Sequence, residues 1–153
     1  VSFMSAKLPS VYDVLTCKSI TVVDDNGKKI ITLDNSSTGT GGGLTTFNSK
    51  GNITGYIGTN SGGDGGHARF FDGNLNAMAF VGYSTTGGVV DIYTPAGKLS
   101  GSLVSDNNTG WIDLYDENGK KVVMLGDGGI STYTGTGTRT TYVGGNDAGY
   151  GDA

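Results

Sequence analysis

The sequence predicts an all-β chain of tandem β-hairpins, folded as a β-solenoid or as an intertwined, trimeric β-helix. Three observations predict it. A short hairpin signal stands near residue 118, its spacing recurs six times, and all length variation falls between the copies.

The clearest unit is Trp111–Gly126. An alternating arm with Ile112 and Leu114 runs into Asp116-Glu117-Asn118-Gly119, and a second arm with Val123 and Leu125 follows. Asn-Gly between alternating apolar arms predicts a two-residue primed turn, because both turn positions need positive φ.

The outer anchors Ile112 and Leu125 are 13 apart. The same spacing links Ile20 to Leu33, Leu44 to Ile57, Ala68 to Val81, Val90 to Leu103 and Ile130 to Val143. Seven residues after the first anchor stand Gly27, Gly51, Gly97, Gly119 and Gly137; only the third unit departs, with Leu75 there and its glycine at Gly73. Between units the gaps are 11, 11, 9, 9 and 5 residues. Paired strands must keep register whereas connectors tolerate insertion, which is how tandem repeats behave. The sixth copy is degenerate, rich in Thr and Gly. The connectors Asp34–Gly43, Gly58–His67, Gly82–Gly88, Val104–Gly110 and Gly126–Gly129 are expected as tight polar loops.

Between copies the apolar positions form columns. One holds Ile20, Leu44, Ala68, Val90, Ile112 and Ile130; another Val22, Thr46, Phe70, Ile92, Leu114 and Thr132; a third Leu33, Ile57, Val81, Leu103, Leu125 and Val143. They are expected to face inward in a continuous buried stack. The opposite face carries Val23, Phe47, Phe71, Tyr93, Tyr115 and Tyr133, an aromatic ladder where alternation normally places water. Such a ladder serves subunit packing or presents a binding strip. Packing is preferred, since a chain of thin hairpins has little interior of its own.

Units of this length suit a solenoid or a multi-chain β-helix. Six propeller blades of about 40 residues each do not fit, and a plain sandwich does not require the constant internal spacing. A three-chain assembly accounts best for apolar residues on both faces. The repeat domain spans 17–144. Residues 1–16, with Phe3, Met4, Leu8, Val11 and Leu15, form a cap over the first repeat's edge or an arm that docks on another subunit. Residues 145–153 form a polar tail.

Composition removes several classes. Of 153 residues 29 are glycine, without a collagen period and with only two prolines. The net charge of −4 disfavours nucleic-acid binding, which needs a basic surface. No apolar run of 18 residues occurs, so no membrane insertion by a helix is expected. Cys17 is the only cysteine and reads as a buried thiol or an interchain bond. A start at Val1 without an initiator methionine is compatible with processing, so the lack of a visible signal peptide says little about compartment.

Catalytic and metal signatures are weak. His67 is the only histidine, read as a surface-loop residue, and no G-x-S-x-G elbow accompanies it. There is no Cys/His cluster for zinc. Gly62-Gly63-Asp64-Gly65 and Gly144-Gly145-Asn146-Asp147 miss the spacing of a calcium nonapeptide. Asp91, Asp113 and the acids at the hairpin tips leave paired-carboxylate glycan cleavage as a remote alternative; acids at tips mostly form turns. Asn35, Asn52 and Asn107 open N-x-[ST] sequences, acceptors only where secreted proteins are glycosylated.

The pattern D-x-N-G-K-x-x-x-x-L-G, Asp116 to Gly126, with Asp24 to Leu33 lacking the final glycine, resembles a degenerate hairpin repeat of bacterial proteins. It is similar also to the β-structured shafts of phage fibres and surface adhesins. The resemblance covers roughly residues 17–144 and rests on turn chemistry. It implies an extracellular, cell-surface or virion structural role and carries over no catalytic residues. The expected protein is thus a non-enzymatic, self-assembling subunit without cofactors. Its ladder Phe47, Phe71, Tyr93, Tyr115 and Tyr133 is the subunit interface. Alternatively the ladder, with Trp111, stacks on glycans as an attachment module.

Overall fold

A computed structural model describes residues 16–35, 41–59, 65–83, 87–106, 109–126, 128–145 and 151–152. Residues 1–15 of the expected arm at 1–16, part of each connector, Asn107, residues 146–150 and Ala153 lie outside these.

The chain forms one antiparallel sheet of thirteen strands in sequence order. These are β1 (Ile20–Val23), β2 (Lys29–Asn35), β3 (Gly42–Phe47), β4 (Ile53–Thr59), β5 (Gly66–Phe71), β6 (Ala77–Tyr83) and β7 (Gly88–Tyr93). They continue as β8 (Leu99–Asp106), β9 (Thr109–Tyr115), β10 (Lys121–Gly126), β11 (Gly129–Tyr133), β12 (Arg139–Gly145) and β13 (Gly151–Asp152). Every pairing joins neighbours in sequence, so the single chain is a meander and does not wind. The expected register holds: all six anchor pairs separated by 13 residues are cross-strand partners.

The turns differ from the expected primed hairpin. The Asp116 carbonyl accepts from Gly119 N–H and Asp116 N–H donates to the Lys120 carbonyl. Glu117 and Asn118 keep negative φ, and only Gly119, at +77°, is left-handed. This is the three-residue loop with a left-handed residue at its bulge. A side-chain acceptor selects it: Asp116 Oδ1 accepts from Asn118 N at 2.8 Å and Lys120 N at 2.9 Å. Asp24, Asn48 and Asp72 repeat this cap, and Thr134 does so with its hydroxyl. Asx side chains that bond their own backbone two residues on are turn formers for this reason. In the third unit Leu75 takes the left-handed place with φ +70°. The turns also bond to one another: Lys28 Nζ donates to the Ser49 carbonyl, Asn52 Nδ2 to Gly73 O at 2.8 Å and Lys98 Nζ to Glu117 O at 2.8 Å.

Each hairpin carries an irregularity one step from its turn, as where Lys121 pairs Tyr115 and Val123 pairs Leu114. The extra residue lies on the second strand of each hairpin, Val122 in this one, while the ladder positions fall on the face opposite the aliphatic arms by plain alternation, Tyr115 directly following Leu114.

Three expectations are corrected. The apolar columns are not buried: among the described residues no hydrophobic residue is buried, whereas Thr32, Ser102, Asp113 and Ser131 are. Among the described residues the sheet is a single layer, and nothing there covers them. Cys17 is exposed, because it precedes the edge strand β1. His67 is a half-buried residue of β5, since the strands extend further into the connectors than the polar composition suggested.

Candidate interface and the aromatic face

The first and third expected columns merge into one unbroken row. Ile20, Leu33, Leu44, Ile57, Ala68, Val81, Val90, Leu103, Ile112, Leu125, Ile130 and Val143 are successive partners across β1 to β12. Beside it runs a second row on the same face, including Val22, Ile31, Thr46, Gly55, Phe70, Ala79, Ile92, Gly101, Leu114 and Val123. These side chains stand open: Ile57 is 55% exposed, Ile92 57% and Leu103 50%. Three shallow apolar notches lie along this row, floored in part by Gly42, by Gly88 with Gly110, and by Gly110 with Gly126.

The opposite face is closed on itself. Its central row runs Thr32, Thr45, Tyr56, Arg69, Phe80, Asp91, Ser102, Asp113, Met124 and Ser131 in direct register. Ser102 Oγ donates to Asp91 Oδ1 at 2.5 Å. Asp113 is 4% exposed and its Oδ2 pairs with Lys121 Nζ at 2.7 Å. Aromatic rings cover the glycines beside them. A Cβ at Gly43 or Gly58 would meet Tyr56, one at Gly82 would meet Phe80, and one at Gly129 or Gly144 would meet Tyr142. His67 sits between Tyr56 and Phe80, with ring centroids 5.1 and 5.5 Å away. The Arg69 guanidinium lies 5.3 Å above the Phe80 ring. Such a contact contributes about 0.5–1 kcal/mol at an exposed site.

The ladder belongs to this face. Phe47, Phe71, Tyr93, Tyr115 and Tyr133 are all half-buried, one per hairpin. Their hydroxyls are tied within the chain: Tyr93 donates to Asp91 at 3.2 Å and Tyr133 approaches Met124 Sδ at 3.6 Å, while Tyr115 makes a long contact of 3.4 Å to Asp113. Partial burial and then the neighbouring carboxylates raise the Tyr93 and Tyr115 phenols above 10.0, so both stay protonated donors. Burial first, and then Arg69, lowers His67 below 6.5 and keeps the imidazole neutral at pH 7. Trp111 is half-buried on the same face, where a Cβ at Gly126 would meet it.

Sequence reasoning located the ladder but missed Tyr56, Arg69, Phe80 and the Asp91–Ser102–Asp113 set. Their signal was present: each stands next to an anchor of the aliphatic row, on the other side of its strand. Asp91 and Asp113 stand one strand either side of Ser102, and Asp113 is spent on Lys121. Among the described residues no three His, Cys, Asp or Glu side chains gather to hold a metal. Asn35 is exposed at the end of β2, and Asn52 is engaged in its turn. No family model matches the chain and no curated protein aligns with it.

Proposed function

We propose that this chain is a structural, non-enzymatic subunit of an extracellular, cell-surface or virion fibre, and that copies of itself, three to a shaft, cover its aliphatic face. The observation that carries the reading is the unbroken aliphatic row beside the lack of any buried hydrophobic residue among those described. A sheet with one apolar face requires a second layer, and the described residues supply none. At about 4.8 Å per strand the row is about 53 Å long. Two rows wide, it offers on the order of 700 Å² per chain, against about 800 Å² per partner in a stable interface. A patch so long and so regular is matched along its length by a surface of the same period, which another copy provides. Membrane insertion fits poorly, because β1–β12 are four to eight residues long and a spanning strand needs about 9–11.

The test is solution mass by light scattering after size exclusion. Trimers or larger species are expected. A stable monomer over a wide concentration range overturns the reading.

A second reading concerns the other face. With the aliphatic rows turned inward, the ladder remains on the outer surface, where Tyr93, Tyr115, Tyr133 and Trp111 offer ring faces to sugars. Binding to a glycan array that Tyr93→Ala with Tyr115→Ala abolishes, while assembly persists, supports an attachment role; equal binding by both proteins rejects it.

A further inference from the structure

The two aliphatic rows are sterically complementary to each other. Phe70 stands two residues from Ala68, Ile57 from Gly55 and Leu103 from Gly101, each pair on the same face of one strand. At these levels a large residue in one row accompanies a small one in the other, about 7 Å apart along the strand. At β1, β2, β7, β9 and β10 both rows are large, so those levels set the distance a partner keeps. Side chains of a partner can approach the backbone at Ala68 and Gly101, whereas Gly55 is buried and the Thr46 hydroxyl fills the space beside it. Gly101 is half-buried and has room for a small side chain, since the nearest atom to a Cβ there is the end of the flexible Leu114 side chain, at 3.4 Å.

Rotation about an axis parallel to the strand-stacking direction brings one row of a chain against the other row of its neighbour, with equal strands level. Phe70 then meets Ala68 of the next copy, Ile57 meets Gly55 and Leu103 meets Gly101. Sliding one copy by a single strand sets Phe70 against Ile57 or Val81, and Leu103 against Ile92 or Leu114, large on large. Overpacked contacts of this kind cost stability.

We propose that the partner on this face is a second copy of the chain held in register, its direction of strand stacking parallel and its two rows crossed against those of its neighbour. This inference rests on the self-assembly proposed above. It is tested with single-cysteine chains in which Cys17→Ser removes the native thiol. Chains with Gly101→Cys are co-assembled with chains carrying Leu103→Cys and oxidised with glutathione disulfide, which is reduced as each interchain disulfide forms. The control pairs Gly101→Cys with Leu125→Cys, two strands away. A disulfide bridges Cα atoms only within roughly 7 Å, so about tenfold more linked pair is expected from the first mixture than from the control. Should Gly101→Cys disturb folding, Val90→Cys with Ile92→Cys repeats the test at β7. Light scattering of each reduced sample reports assembly separately. Assembled particles that link no better than the control overturn the register and leave self-assembly standing. Monomers in every sample, and in the unmodified chain, overturn both.

Discussion

On one face of the sheet Tyr93 and Ser102 donate to Asp91 and Lys121 pairs with Asp113 Oδ2 within a single chain; on the other, Ile57, Ile92 and Leu103 stand half exposed with nothing above them among the described residues. The two faces come from the same strands and alternate residue by residue. The polar face covers itself because its groups are long or aromatic and lie flat across the glycines beside them, so Tyr56 and Tyr142 each cover two glycines. Short aliphatic side chains cannot fold over in this way. They stand perpendicular to the sheet and stay wet until another surface arrives. A face can therefore be complete in one chain only when its side chains reach sideways.

The comparison breaks most sharply at Leu103. A carboxylate placed there by Leu103→Asp is harmless in water but costs about 3 kcal/mol or more per chain when buried unpaired. Its assembly is expected to fall more than a hundredfold by light scattering while the circular dichroism of the strands is retained. Tyr93→Ala, on the self-contained face, is expected to leave the mass unchanged. The reverse pattern would move the interface to the ladder.

Asp113→Ala probes the polar face from within. It removes the Lys121 partner and the long Tyr115 contact at a buried position. A loss of about 1–3 kcal/mol is expected, read as a lower thermal midpoint. An unchanged midpoint would mean that the cluster contributes nothing net.

Leu75→Gly sharpens the comparison of the turns. Leucine held at φ +70° costs about 1–2 kcal/mol that glycine does not incur. Part is returned by the greater freedom of glycine in the unfolded chain. A gain of about 0.5–1 kcal/mol in urea denaturation is therefore expected. A loss instead would show that the half-exposed Leu75 side chain makes a contact worth more than its strain.

The smallest effect is acid sensitivity at His67. Its folded-state pKa lies below 6.5, so the stability linked to the neutral ring is complete above that value and is lost as pH falls through the lowered pKa. Melting between about pH 8 and pH 5 is expected to show a small decline that His67→Gln removes. An identical decline in both proteins would assign it to other groups.

Much of this was legible in the sequence. The anchors 13 apart are register partners because each hairpin has the same arm length and the same loop, and the loop chemistry is local. Asp116 caps Asn118 and Lys120 within five residues, so turn positions follow from composition. The ladder followed from alternation, since Tyr115 directly follows Leu114 on one strand, whereas the bulge at Val122 on the partner strand left no mark beyond one extra residue. The turn type was misread because Asn-Gly suits two geometries, and the Asp116 carboxylate selects the one in which only glycine turns left-handed. His67 looked like a loop residue because glycines surround it, yet the rings of Tyr56 and Phe80 flank it from adjacent strands.

Where the hairpin turns lie, how the strands pair and which residues share a face follow from the sequence alone, because alternation, loop length and Asx capping are short-range. Only the tertiary structure decided that the hairpins lie side by side in one layer, that the aliphatic rows stay uncovered, and that Arg69, Phe80, Asp91 and Asp113 meet in one line across the sheet. Those outcomes depend on what lies above each face and on neighbours twenty residues away, and nothing in a strand's own pattern distinguishes a face buried by its chain from one awaiting another.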